Sequence, residues 1–297
     1  MPDTPSLDTI APALVDWDRV RASKYLVRQT FYYEYPAHIY DLRHQLMVIP
    51  PATFGDQRRT VYSLQTSEAG EVITRMDAFA NTVLDVHIPF VQRSIEFATW
   101  MTIERSGPVR PREVPGSWLR DPTLFATTHR TTPDAAITQA AAELRASGAT
   151  GLALAERVNL WVHDRLEYRR GVTDVHTTAA EALAIGGGVC QDYSHVMIAI
   201  CRLLGLPTQY VSGHQLGEGG THSWVEVLLP AVDGSDRAEG WPLDPTHGCR
   251  SDLSYLTIAV GRDYGDVAPT SGSYRAGHGG SLAAHREVLV TEIEYFD

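Results

Sequence analysis

Cysteine is scarce in this 297-residue chain: only Cys190, Cys201 and Cys249 occur, separated by 11 and 48 residues. An odd number so thinly spread excludes a disulfide framework. The same spacings fail the zinc patterns, which need ligand pairs a few residues apart. No H-E-x-x-H is present, and Gly277, Gly279 and Gly280 lack a phosphate-loop lysine, so no metal or nucleotide cofactor is expected. Uninterrupted apolar runs of the roughly 18 residues that span a bilayer are also missing, as are repeats and low-complexity tracts. The opening "MPDTPSLDTIAPALVDWDRV" has neither a basic start nor an apolar stretch, so no secretory signal is read there and a cytoplasmic location is expected. Positive charge is in deficit, with 25 bases against 36 acids and a net charge of −11. That balance opposes nucleic acid and anionic membrane surfaces as partners.

The composition is that of a globular domain, 43% hydrophobic and 21% charged. After an N-terminal segment 1–22, residues 23–106 read as short strands such as "KYLVRQTFYYEY" and "SIEFATWMTIE", separated by Pro, Gly, Asp and Asn clusters. Such spacing predicts a β-rich, sandwich-like domain. Pro108, Pro111, Pro115 and Pro122 then mark a linker over 107–132.

Residues 133–297 differ in kind. Helices are predicted over 133–147, around Leu154 to Leu166, over Thr178 to Ala184, and from Cys190 to Leu204. Strands follow in "PTQYVSGH", "HSWVEVLLP", "GWPLDPT" and "AAHREVLVTEIEYF", so the second unit is expected to be α+β, with helices on an antiparallel sheet.

"GGGVCQDYSHVMIAICRLLG" carries the chemistry. It places Cys190 at a helix start, where unpaired N–H groups favour a thiolate. The glycines, Gly188 among them, permit close approach of a substrate, and the amides near Cys190 and Gln191 suit an oxyanion. A thiolate nucleophile needs an imidazole and a group to orient it. His222 opens one strand and Asp244 closes the next, so a tight connection would bring both to one edge.

These stretches, with "VGRDYGDVAPTSGSY", resemble the bacterial transglutaminase-like cysteine proteases and amidases, and "YLVRQTFYYEY" to "LMVIPP" resembles the strand-rich region that precedes their core. The resemblance implies a papain-like fold with Cys190 as nucleophile, His222 as base and acid, Asp244 as the orienting carboxylate, and no metal. The implied substrate is a peptide or amide, hydrolysed through a thioester. Transfer of the acyl group to an amine, a non-catalytic peptide-binding cleft, and a thiol switch using Cys249 stay open as alternatives; no oligomeric state is assigned.

Other residues carry two readings each. Asp192, in the first helical turn, reads as a cap before a cleft residue. Tyr168 and His176 are side-chain candidates for the oxyanion or packing residues, and Trp224 and Trp241 are candidates for cleft walls or core. Cys201 reads as buried and inert, Cys249 as a neighbour of the site, and Arg262 and Asp263 as a pair in a structural turn. His195, His214 and His247 lie close to the motif blocks.

Overall fold

A computed structural model describes residues 9–108, 110–217 and 220–296; the first eight residues of the expected N-terminal segment lie outside it. From Val20 the chain forms β1 (Val20–Glu34), β2 (Ile39–Ile49), β3 (Thr53–Phe54), β4 (Gln57–Thr66), β5 (Glu71–Met76), β6 (Thr82–Val91), β7 (Ser94–Ser106) and β8 (Arg112–Pro115). Next come α1 (Ala135–Ala146), α2 (Gly151–Arg165), β9 (Glu167–Tyr168), α3 (Ala179–Ile185), β10 (Gly187–Gly188) and α4 (Cys190–Leu203). The remainder is β11 (Thr208–Gln215), β12 (His222–Pro230), β13 (Arg237–Asp244), β14 (Cys249–Arg250), β15 (Tyr255–Gly261), β16 (Thr270–Arg275) and β17 (Ser281–Tyr295).

Two sheets, ordered β17-β1-β7-β4-β3 and β16-β2-β6-β5, make the sandwich. Alternation along the strands turns Val27 and Phe31 of β1, Leu42 and Leu46 of β2, Leu84 and Val86 of β6, and Phe97 and Met101 of β7 into one shared core. Burying each such side chain is worth about 1.5–3 kcal/mol, which makes this register far more stable than one shifted by a residue. The third sheet runs β14-β13-β12-β11-β15, with β8 added beside β13. Helix α4 packs against it, and every residue from Gln191 to Arg202 is buried. Val196, Met197 and Ile200 meet Val158 and Val162 of α2, Ala141 of α1, and Val225 and Leu243 of the sheet.

Helix ends follow their sequence signals. Asp134 accepts from Ile137 N at 2.9 Å to start α1, and Thr178 with Glu181 closes a capping box on α3. Gly186 takes the left-handed conformation, φ 68°, that ends α3. Among the described residues no helix is long and apolar enough to cross a membrane.

Domain organisation departs from the expected division at 133–297. β16 pairs with β2, and β17 pairs with β1 along fourteen residues, so the C-terminal strands complete the N-terminal sandwich rather than extend the helical unit's sheet. Periodicity in "AAHREVLVTEIEYF" specifies a strand with one buried face but not the sheet it joins. The expected linker 107–132 likewise contributes β8, which pairs with β13. Arg262 pairs with Asp266 at 2.8 Å rather than with Asp263, whose carboxylate accepts from Gly265 N at 2.6 Å and lies 3.8 Å from Arg130.

Candidate active site

The turn before α4 is set by packing. β10 pairs in parallel with β9, placing Gly188 opposite Tyr168. A Cβ on Gly188 would fall on the carboxyl group of Asp192, so only glycine fits. Asp192 Oδ2 accepts from Val189 N at 2.8 Å and from the Thr173 hydroxyl at 2.7 Å. Burial raises the Asp192 pKa, with those two hydrogen bonds opposing it. Asp192 therefore caps the helix and ties it to the 169–178 loop, as the capping reading holds. Cys190 emerges half-buried at the first position of α4.

β12 and β13 are antiparallel neighbours, with Val225 opposite Leu243, so the start of one lies beside the end of the other. His222 and Asp244 thereby meet, His222 Nε2 bonding Asp244 Oδ2 at 2.7 Å, with both side chains buried. The second carboxylate oxygen accepts from Thr246 N at 2.8 Å, and the Tyr255 hydroxyl donates to Oδ2 at 2.8 Å. Burial disfavours a charged His222, yet the hydrogen bond to Asp244 and the influence of Cys190, with the charges of both, outweigh it and push the imidazole up to about 10. Asp244 moves the other way: burial is overcome by His222 and Tyr255, and its pKa is lowered.

Rings enclose this pair. Trp224 lies 6.2 Å from His222 between centroids, His247 5.4 Å and Tyr255 5.9 Å. His222, Asp244 and His247 bring potential metal-ligand atoms within 4.8 Å of one another, but Asp244 Oδ2 already accepts two hydrogen bonds, and His247 Nε2 bonds Gln215 Oε1 at 2.8 Å.

The remaining candidates separate. Gln191 is buried and its side-chain amide is directed to Asp174 O at 3.3 Å, away from an oxyanion role; its backbone remains in the first turn. The Tyr168 side chain is exposed on β9, and His176 is exposed in a turn built on Asp174. Trp224 is buried and packs edge-on against Tyr255 at 5.3 Å, so it backs His222 rather than walling an open cleft. Trp241 stacks under Arg250 at 4.9 Å and lines a hollow with Trp17 and Phe296, again as packing. Cys201 is fully buried and its thiol is pushed up to about 12 by burial. Cys249 Sγ lies 3.8 Å from the Tyr255 hydroxyl. His195 and His214, pushed down by burial to about 3 and 4, serve the fold: Tyr264 N donates to one ring and Gly220 O is held by the other. Tyr255 and Gln215 are the residues the sequence reading missed; Tyr255 stands eleven positions past Asp244 on another strand, and no local spacing announces it.

Comparison with known proteins places the helical unit. Residues 138–245 match the transglutaminase-like superfamily. An uncharacterized protein of Mycobacterium leprae is 35% identical over 124 residues, covering 38% of this chain and 42% of the relative. One from Mycobacterium tuberculosis is 36% identical over 122 residues, covering 37% of this chain and 38% of the relative. The match thus spans about two fifths of the length of these relatives. A solved structure from Cytophaga hutchinsonii, described as a candidate cysteine protease, has a TM-score of 0.75 at 17% identity, covering 94% of each chain. Residues 138–245 thus match the transglutaminase-like superfamily, and the chain as a whole shares the fold of the Cytophaga hutchinsonii structure.

Proposed function

We propose that the chain is a thiol-dependent hydrolase of amide or peptide bonds, acting through Cys190, His222 and Asp244. The observation that carries this reading is the buried 2.7 Å His222–Asp244 bond, on an imidazole whose pKa is raised by Asp244 and by Cys190. A histidine pushed up to about 10 keeps its proton at neutral pH, which suits it to pair with a thiolate and then act as an acid. The description of the Cytophaga hutchinsonii neighbour agrees with this chemistry.

In the proposed sequence Cys190 Sγ attacks the substrate carbonyl carbon. First-turn amides of α4 hold the developing oxyanion, since they point outward from a helix N-terminus. His222 gives its proton to the leaving nitrogen as the C–N bond breaks, leaving a thioester on Cys190. A water then attacks that carbonyl, passing a proton to His222. The carboxylic acid departs and the thiolate–imidazolium pair is restored. Asp244 keeps the Nε2 proton of His222 in place throughout, so that Nδ1 faces the reaction.

Release of amine from a panel of peptide amides tests the reading, with Cys190→Ala as control and an added primary amine to divert the thioester. Activity should vanish in Cys190→Ala while the circular dichroism spectrum and melting temperature stay close to the parent's. An active Cys190→Ala protein would refute the assignment. Amine incorporation in preference to hydrolysis would replace hydrolase by transferase.

A further inference from the structure

We infer that Tyr255 is a positioning residue for the His222–Asp244 pair, and that the N-terminal sandwich holds it in place; this rests on the reading of Cys190, His222 and Asp244 given above. The hydrogen bonds form a directed chain. His247 Nε2 bonds Gln215 Oε1 at 2.8 Å, Gln215 Nε2 donates to the Tyr255 hydroxyl at 3.0 Å, and that hydroxyl donates to Asp244 Oδ2 at 2.8 Å. Asp244 Oδ2 is the oxygen that also accepts the hydrogen bond from His222 Nε2. Each donor in such a chain polarises the next, and two donors converging on one oxygen fix the carboxylate's rotation about its Cβ–Cγ bond. Burial and the neighbouring Asp244 charge raise the Tyr255 pKa, so its hydroxyl remains a donor over the working range. Ring packing leaves it one direction to point: Trp224 meets Tyr255 edge-on at 5.3 Å, and His222 lies 5.9 Å away.

The sandwich controls where Tyr255 begins. β15 is the edge strand of its sheet, paired on one side with β11. Its other side is taken by side chains of the sandwich. Gln57 Nε2 donates to Thr257 O at 2.8 Å while Thr257 N donates to Gln57 Oε1 at 2.9 Å, and Asn81 makes the same paired contact with Val260 at 2.7 and 2.8 Å. These two amides occupy the edge as another strand would, at two points. At the start of β15, Arg105 Nη1 donates to Tyr255 O at 2.6 Å and to Asp252 O at 2.8 Å. Asp56, itself in the sandwich, grips the same guanidinium through two bonds of 2.7 and 2.9 Å. Fixing the Tyr255 carbonyl fixes the strand from which its ring projects, so contacts made by the sandwich reach Asp244 through one residue.

Two readouts test this in the full chain: solvent exchange of the His222 Nε2 proton by NMR on 15N-histidine-labelled protein, and the pH profile of Cys190 alkylation. Tyr255→Phe keeps the ring and removes one hydrogen bond to a carboxylate. Exchange of the Nε2 proton should quicken about tenfold, and the acidic limb of the alkylation profile should move up by about half to one pH unit. Arg105→Lys, which keeps the charge but, with one nitrogen in place of three, cannot hold both Asp56 oxygens while reaching both carbonyls, should move both readouts the same way by less. Exchange and profile both superimposable on the parent's in Tyr255→Phe would overturn the inference, since a purely structural tyrosine would change only the melting temperature. Should parental Cys190 labelling prove indifferent to His222→Ala, the proposed function fails, and the exchange rate alone still decides the role of Tyr255. If Tyr255→Phe does not fold, Arg105→Lys decides it by the same two readouts.

Discussion

Cys190 and Cys201 lie on the same helix, and eleven residues at 100° each bring them to within about 20° of the same face, roughly 16 Å apart along the axis. The face is shared, yet the surroundings are opposite. At the N-terminal end the glycine turn and the 169–178 loop leave Cys190 half-buried, at the end of the helix where the proposed partner His222 would act. At the C-terminal end Cys201 is enclosed by the helical core, and burial pushes its thiol up to about 12, with nearby Arg202 only partly opposing it. One residue type on one helix thus offers a candidate nucleophile and an inert filler. Position along the axis, and what the sheet presents there, makes the difference.

The largest effect that would break this contrast, short of removing the thiol, comes from Asp244→Asn. An amide in place of the carboxylate can hold His222 in the wrong tautomer, and a loss of roughly 10^3–10^4-fold in amide hydrolysis is expected. The same change should alter stability against pH. The folded pKa of His222, about 10, exceeds its ordinary 6.5, so its contribution is fully present below 6.5 and is lost as pH rises through 10. Melting temperature in the parent should therefore fall across that window, and the fall should flatten in Asp244→Asn. An equal slope in both proteins would show that Asp244 does not hold the imidazole proton.

A smaller effect is expected from Gly188→Ala, because the new methyl group would meet the Asp192 carboxyl that caps α4. Overpacking of this kind costs about 1–3 kcal/mol, read as a lower urea midpoint, and it should slow hydrolysis because the displaced turn carries Cys190. Full stability in Gly188→Ala would mean that the turn yields more easily than the packing implies. Cys201→Ala sharpens the comparison from the inert side. It should cost about 1–2 kcal/mol through the small cavity it leaves, with hydrolysis within twofold of the parent's.

Much of this was legible in the sequence because it is written locally. Helix α4 shows in the apolar spacing of Val196, Met197 and Ile200, and the antiparallel run of β12 into β13 follows from two short strands joined by a short loop. His222 and Asp244 fall at matching ends of that hairpin, so their meeting could be anticipated. Long-range partner choice is written nowhere locally. The alternation of β17 fits an edge of any sheet, and only the completed fold shows that β1 had one to offer. Tyr255 reached Asp244 by the same kind of pairing, across β12 and β11, which lie between their strands in the sheet. For Trp224 and Gln191 the sequence left alternatives open for a different reason: it shows which groups could face a substrate, but not that a ring is packed behind His222 or that a side-chain amide is engaged by Asp174 O.

The central claim is that Cys190 and His222 act as one unit, and the most direct measurement is the rate of iodoacetamide labelling at Cys190, Cys201 and Cys249, read by peptide mass spectrometry between pH 5 and 9 in the parent and in His222→Ala. An ordinary thiol with a pKa of about 8.5 is almost wholly protonated and slow to react at pH 6. The account predicts that Cys190 labels rapidly at pH 6 in the parent, slows at least tenfold in His222→Ala, and that Cys201 stays unlabelled in both while folded. Slow labelling of Cys190 at pH 6 in the parent, unchanged by His222→Ala, would contradict it.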